Sequence, residues 1–378
     1  MKNIRGLTQL HEEVLEHLKK VENLRISMCD ELTCLWESEA ACKILLSLQK
    51  LEVIMCKNLV SLGEKVMESV TEVKFDFCNR LETYNCPRSI EKLEIMHCSL
   101  TSLSFPTMDD LPSTLKFLTI INCGDVEVSW LVNNFLSSLE YLDISYMVNL
   151  RLFPEGCFVH LTSLEIQNCD NLESIPGNGY GFLPFFCLRN LRILECWNLK
   201  SFPYEHLQSL ASLEEMVIHS CPKLDYSFPC GLWPPNLIFL AIGELKKPIS
   251  KWEVQNFPTS LVILELYDDG DSEMVTFANA DEETMNTSSF LLPSSLTSLY
   301  LHGFEELESL SEGLQHLSCL QHLEIHRCPK LKDLPKTLLP SLSSLIIEDI
   351  SPELSKKCRS KKGEYWPIIS QIPRLEIE

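Results

Sequence analysis

A short pattern, Φ-x-x-Φ-x-Φ with Φ apolar, recurs fourteen times along 378 residues and constrains the fold more than any other feature. It is plainest around Leu320, Leu323 and Ile325, where Glu324 and His326 alternate with the apolar residues. That alternation is the period of a short strand with one buried face. Cys328, Leu331 and Leu334 then break the alternation, so the chain must turn while still sending apolar side chains inward. A single unit of this kind cannot bury its face alone, and stacking copies beside it is the remedy.

The middle residue of the pattern falls at Leu24, Leu51, Val73, Leu93, Leu118, Leu142, Leu164, Leu191, Met216, Leu240, Leu264, Leu299, Leu323 and Leu345. Steps average about 25 residues, inside the leucine-rich-repeat range, but they are unequal. The expected fold is therefore an α/β leucine-rich-repeat solenoid, an irregular horseshoe. Its parallel sheet lines the concave face, and loops, turns and short helices form the convex side. Residues 1–20 read as an amphipathic helical lead-in and residues 21–350 as about fourteen repeats. Residues 268–289 within them form an acidic insertion, and 351–378 a capping tail whose Trp366, Ile369 and Ile372 are too apolar to stay in water. Two arcs, Val128–Phe135 and His206–Leu210, have room for a helix.

Five residues after the middle leucine, nine copies carry cysteine, and others carry Met147, Leu245, Phe304 or Ile350. A site that accepts those exchanges needs apolar volume, which a metal site would not tolerate. The 17 cysteines are an odd number and form no C-x-x-C, so reduced core thiols are expected. His322, His326 and Cys328 resemble a zinc-ligand spacing, but on a strand the cysteine leaves the face the histidines share. No G-x-S-x-G, H-E-x-x-H or glycine-rich phosphate loop occurs, so neither enzyme activity nor a cofactor is expected. A formal charge of −21 opposes nucleic-acid binding. No apolar run is long enough for a membrane span. With no secretory signal at the start, a cytoplasmic or nuclear chain is expected.

The motif L-x-x-L-x-I-x-x-C-x-x-L-x-x-[FIL]-P, the CPKL phrases at Cys221–Leu224 and Cys328–Leu331, and the closing EYWPIISQIP at Glu364–Pro373 resemble one family. They look like the leucine-rich-repeat region of plant intracellular nucleotide-binding disease resistance receptors (NLRs) of the coiled-coil class. The resemblance implies recognition of a pathogen effector, or of a host guardee protein that an effector has changed. It also implies an autoinhibitory contact with the receptor's nucleotide-binding domain, whose phosphate loop this sequence lacks. The alternative is an F-box-type leucine-rich-repeat substrate receptor for ubiquitin ligation, which would need an F-box bundle larger than Met1–Lys20.

Recognition should sit on residues that alternate with the buried ones. Candidates near the start are Ile54, Met55, Phe77 and Met96, with Tyr146, Arg192 and His219 further on. Toward the end they are Tyr267, Tyr300, His302, Glu324, His326 and Arg327, expected to receive a basic or amphipathic protein surface. Strands about 4.8 Å apart give such a sheet roughly 65 Å of length, enough for a protein partner.

Overall fold

The computed structural model describes residues 1–36, 40–63, 65–105, 114–123, 138–151, 153, 159–175, 186–252, 256–270, 292–310, 314–359 and 361–378. The arc expected to carry a helix at Val128–Phe135 and all but the first three residues of the 268–289 insertion lie outside them. The chain divides into two compact units, residues 1–188 and 189–378.

In the first unit, helix α1 (Glu12–Leu18) precedes strand β1 (Asn23–Ser27), and α2 (Ala40–Ile44) precedes β2 (Lys50–Ile54). Strands β3 (Glu72–Asp76), β5 (Lys92–Met96), β7 (Phe117–Ile121), β8 (Tyr141–Ser145) and β9 (Ser163–Gln167) continue one parallel sheet in chain order. A second small sheet pairs β4 (Thr83–Asn85) with β6 (Ser102–Ser104). The register aligns like with like: Leu24 opposes Leu51, Leu51 opposes Val73, and Val73 opposes Leu93.

The second unit stacks β10 (Asn190–Leu194), β11 (Glu215–Cys221), β12 (Phe239–Leu245), β13 (Ile263–Tyr267), β14 (Ser298–His302), β15 (His322–Cys328) and β16 (Ser344–Ile350) in the same way. The tail then folds as α3 (Pro352–Arg359), α4 (Trp366–Ile369) and β17 (Arg374–Ile377). Between β10 and β11 a 3₁₀ turn at Tyr204–Ser209 occupies the His206–Leu210 arc. Among the described residues, no helix is long and apolar enough to cross a membrane.

Every middle residue of the sequence pattern lies in one of these strands, and apart from Val21 the residues of the apolar triads are buried. Removing a leucine or isoleucine from water contributes about 1.5–3 kcal/mol. Repeated in register on each strand, that term supports a solenoid rather than a globule.

The strand ends show a feature the sequence conceals. Twelve of the fourteen repeat strands carry, just past their end or next to their last residue, a non-glycine residue in the left-handed region, among them Met55 (φ 54°), Phe77 (52°), His97 (52°), Tyr146 (57°), Glu195 (53°) and Arg327 (55°). Such a conformation costs roughly 1–2 kcal/mol outside glycine. It persists because its amide still donates to the neighbouring strand: Met55 to Asp76 (2.7 Å), Phe77 to Met96 (3.1 Å), His97 to Ile121 (2.8 Å). The reversal then turns the next residue, usually cysteine, into the core.

The nine repeat cysteines are buried and unbridged. Each thiol sits near the carbonyl two residues before it, at 3.2 Å for Cys98 and 3.4 Å for Cys196. Cys78, Cys123 and Cys169 also lie 3.5–3.6 Å from a carbonyl of the preceding strand. Burial pushes the thiols of Cys56 and Cys123 up to about 11 and that of Cys328 up to about 12. These three therefore stay protonated, as packing groups with a weak S–H donor rather than nucleophiles.

Candidate recognition face

Residues alternating with the buried triads share one face of each unit's sheet, and register converts them into rows. In the first unit the row after the middle leucine runs Arg25, Glu52, Lys74, Glu94. It neutralises itself: Arg25 lies 3.4 Å from Glu52, and Lys74 lies 3.2 Å from Glu94. Lys50 and Lys92, one position before that leucine, add contacts of 3.2 Å to Glu52 and 2.8 Å to Glu94. That earlier position also faces outward, so the face is wider than the residues after the middle leucine alone.

The apolar group expected near the start is not continuous. Ile54 and Met96 occupy one row but are separated by Asp76, which pairs with His97 Nδ1 at 3.2 Å. Met55 and Phe77 project from the left-handed positions and are exposed, and the Phe77 ring stacks on His97 at 4.3 Å. Tyr146 is exposed at the equivalent place after β8. Along the same face Asp143 is buried and accepts a hydrogen bond from the Ser145 hydroxyl (2.6 Å). Its burial pushes the carboxyl up to about 6.

In the second unit one row reads His219, Gly243, Tyr267, His302, His326, Glu348. Its rings form a continuous stack. His219 meets Tyr267 at 4.4 Å, Tyr267 meets His302 at 4.7 Å, and His302 meets His326 at 4.9 Å. The last two distances match the spacing of adjacent strands. The first spans two strands, which is possible only because Gly243 between them has no side chain. A Cβ there would meet the Tyr267 carbonyl oxygen at 1.8 Å. The stack ends where His326 Nδ1 lies 2.9 Å from Glu348.

Burial lowers the imidazole of His219. It takes that of His302 to about 4, helped by His326, His219 and Arg327 nearby. The adjacent row reads Arg192, Val217, Ala241, Glu265, Tyr300, Glu324. Arg192 donates to Glu215 at 2.7 Å, Tyr267 donates its hydroxyl to Glu265 at 3.0 Å, and Glu324 lies 3.5 Å from His326 Nε2. Arg327 is exposed at the left-handed residue just before the end of β15.

Alternation alone places Leu194, Val217 and Ala241 on the open face, yet they are buried. They form a small apolar cluster against which Phe239 and Tyr267 pack. No group of three or more His, Cys, Asp or Glu that could hold a metal occurs among the described residues.

No family model matches the sequence. A disease resistance protein of Arabidopsis thaliana is 29% identical across 88% of this chain and 23% of its own length. The disease resistance protein RPP4 of the same plant is 26% identical across 77% of this chain and 26% of its length. The chain thus spans about a quarter of these relatives. Among solved structures, a TLR13–ssRNA13 complex superposes with a TM-score of 0.58 at 17% identity, covering 89% of this chain and 51% of that one. At that identity the likeness is one of fold. The chain is a parallel-strand leucine-rich-repeat solenoid, similar over most of its length to the disease resistance proteins of a plant.

Proposed function

We propose that this chain is the protein-recognition region of a plant innate immune receptor. In this reading it binds a pathogen effector, or a host guardee protein that an effector has changed, through the outward face of its sheet. It also contributes to holding the receptor's nucleotide-binding domain inactive, and it acts by binding rather than catalysis. The observation that carries the reading is the contrast between the two sides of each strand. Inward positions repeat leucine and isoleucine, whereas outward rows differ from strand to strand, as in His219–Gly243–Tyr267–His302–His326. A scaffold needs the first, and selectivity for one partner needs the second.

Within this face the recognition residues are Ile54, Met55, Phe77, Met96 and Tyr146 in the first unit. In the second they are Arg192, His219, Tyr267, Tyr300, His302, Glu324, His326 and Arg327. Aromatic residues that lose water on contact dominate binding energy, so the stacked rings are the expected anchors. The test replaces Tyr267 and Tyr300 together by alanine in a receptor carrying this region, co-expressed in leaves with candidate effectors. Loss of the cell-death response is expected, with the chain still accumulating. Tyr226→Ala, exposed in an arc away from the strands, should leave the response intact. An undiminished response in the double variant would remove the second-unit face from the reading.

A further inference from the structure

Glu265, Tyr300 and Glu324 stand side by side on β13, β14 and β15, in register. They differ from the carboxylates of the first unit in one respect. Glu52 and Glu94 each have lysine or arginine within 3.4 Å. Neither Glu265 nor Glu324 has one among the described residues. Glu265 Oε2 accepts from the Tyr267 hydroxyl (3.0 Å), and Glu324 Oε2 faces His326 Nε2 (3.5 Å). Each keeps its second oxygen for another donor.

All three side chains are half-buried, and a phenol ring lies between the two acids. The pair is electrostatically uncomfortable as it stands. Burial first, and then the charge of Glu324, raises the Glu265 carboxyl against the opposing Tyr267 hydrogen bond and Arg192, and burial with both glutamates raises the Tyr300 hydroxyl against the more distant Arg374. Neither arginine forms an ion pair with these glutamates among the described residues, so a cation placed over the ring would relieve both further.

We infer that the Glu265–Tyr300–Glu324 row is a socket for an arginine side chain of the protein partner. The guanidinium lies over the Tyr300 ring, and its N–H groups reach the open oxygens of the two glutamates. The charge and shape of the row select this occupant. Two carboxylates on strands about 10 Å apart flank a flat aromatic face, which suits a planar cation with donors at both ends. Guanidinium stacks on phenol and hydrogen-bonds in its own plane at the same time. An ammonium is a compact point charge and can satisfy only part of that arrangement. The inference rests on the reading of this face as the partner-binding surface and names the chemistry it recognises.

The test uses the whole chain labelled with ¹³C in its tyrosine rings. It is titrated with an acetylated, amidated Gly-Gly-Arg-Gly-Gly peptide and with the same peptide carrying lysine or citrulline. The Tyr300 resonance is expected to shift with the arginine peptide, at least about fivefold more weakly with lysine, and not with neutral citrulline. Glu265→Gln with Glu324→Gln should abolish the shift. Glu12→Gln with Glu13→Gln, an equal change of charge on α1, should leave it unchanged. Both pairs preserve side-chain volume, and circular dichroism checks that they fold. An equal response to lysine and arginine, or an equal loss in the two double variants, overturns the socket and reduces it to general attraction by an acidic chain. A Tyr300 signal that does not move overturns it outright. Should Tyr267→Ala with Tyr300→Ala abolish partner recognition while the glutamate pair proves dispensable, the socket fails and the recognition face stands. If neither pair matters to the partner, both fail.

Discussion

His302 shows how a surface position can acquire core-like properties. Its ring lies between those of Tyr267 and His326, and the loss of water takes its pKa to about 4. An unfolded histidine accepts a proton near pH 6.5. Between those values the unfolded chain binds a proton that the folded chain refuses, so this residue lowers stability as pH falls from about 6.5 toward 4. Asp143 acts in the opposite direction over part of that window. Its carboxyl is raised to about 6, so protonation removes a buried charge that the unfolded state would leave in water. The effect of His302 must therefore be isolated by difference. Urea unfolding of the parent chain and of His302→Asn at pH 7 and pH 4.5 should show the variant gaining about 1–2 kcal/mol relative to the parent at the lower pH, after allowance for the ring's partial exposure. An unchanged difference between the two pH values would contradict the neutral, stacked imidazole.

At the scale of the element, the repeat is a strand, a left-handed residue and an inward cysteine, and each part has its own cause. The strand follows from alternation. The cysteine follows from the volume left between the sheet and the turn. The left-handed residue follows from neither, because Met55, Phe77, Tyr146 and Glu195 give no local signal for positive φ. It is imposed by the two neighbours, which together require both a ladder bond and a reversal.

Gly243 is another position set by neighbours, since it lets two rings close over a strand. Gly243→Ala should destabilise the chain by about 3 kcal/mol, because its Cβ would collide with the backbone of β13 and not with a movable side chain. The His219–Tyr267 contact should be lost with it. Urea midpoints and the tyrosine ring resonances measure the two effects separately, and a midpoint within error of the parent would refute the packing account.

At the scale of the whole molecule, any end of a stacked sheet leaves a row of unpaired amides. The residue pattern indicates a tail that covers that end. There β17 pairs with β16 as a further strand, and Leu354, Cys358, Tyr365 and Ile369 are buried in and beside α3 and α4. Tyr365 ties this tail to the last cysteine-bearing repeat, its hydroxyl oxygen accepting the buried Leu334 amide at 3.0 Å. Tyr365→Phe keeps the ring and strands that amide, at a cost of about 1–3 kcal/mol. Hydrogen exchange should show faster opening of β15–β17 with β1–β3 unaffected. Uniform loss of protection, or none, would count against a locally anchored cap.

Apolar periodicity along the chain is enough to specify the architecture. Fourteen apolar triads at unequal steps demand parallel strands stacked in register, because no other arrangement buries every inward residue of units this short. The sequence also specifies that the repeat cysteines pack, since their position tolerates methionine, leucine and phenylalanine. Which outward residues meet depends on the folded sheet. Tyr267, His302 and His326 are far apart in the chain, and only strand register places their rings face to face. Leu194, Val217 and Ala241 carry the outward phase of the strand, and only the packing of Phe239 and Tyr267 over them hides them from water. Periodicity records which way a side chain points. It does not record what lies across the gap, because that depends on the side chains of neighbouring strands.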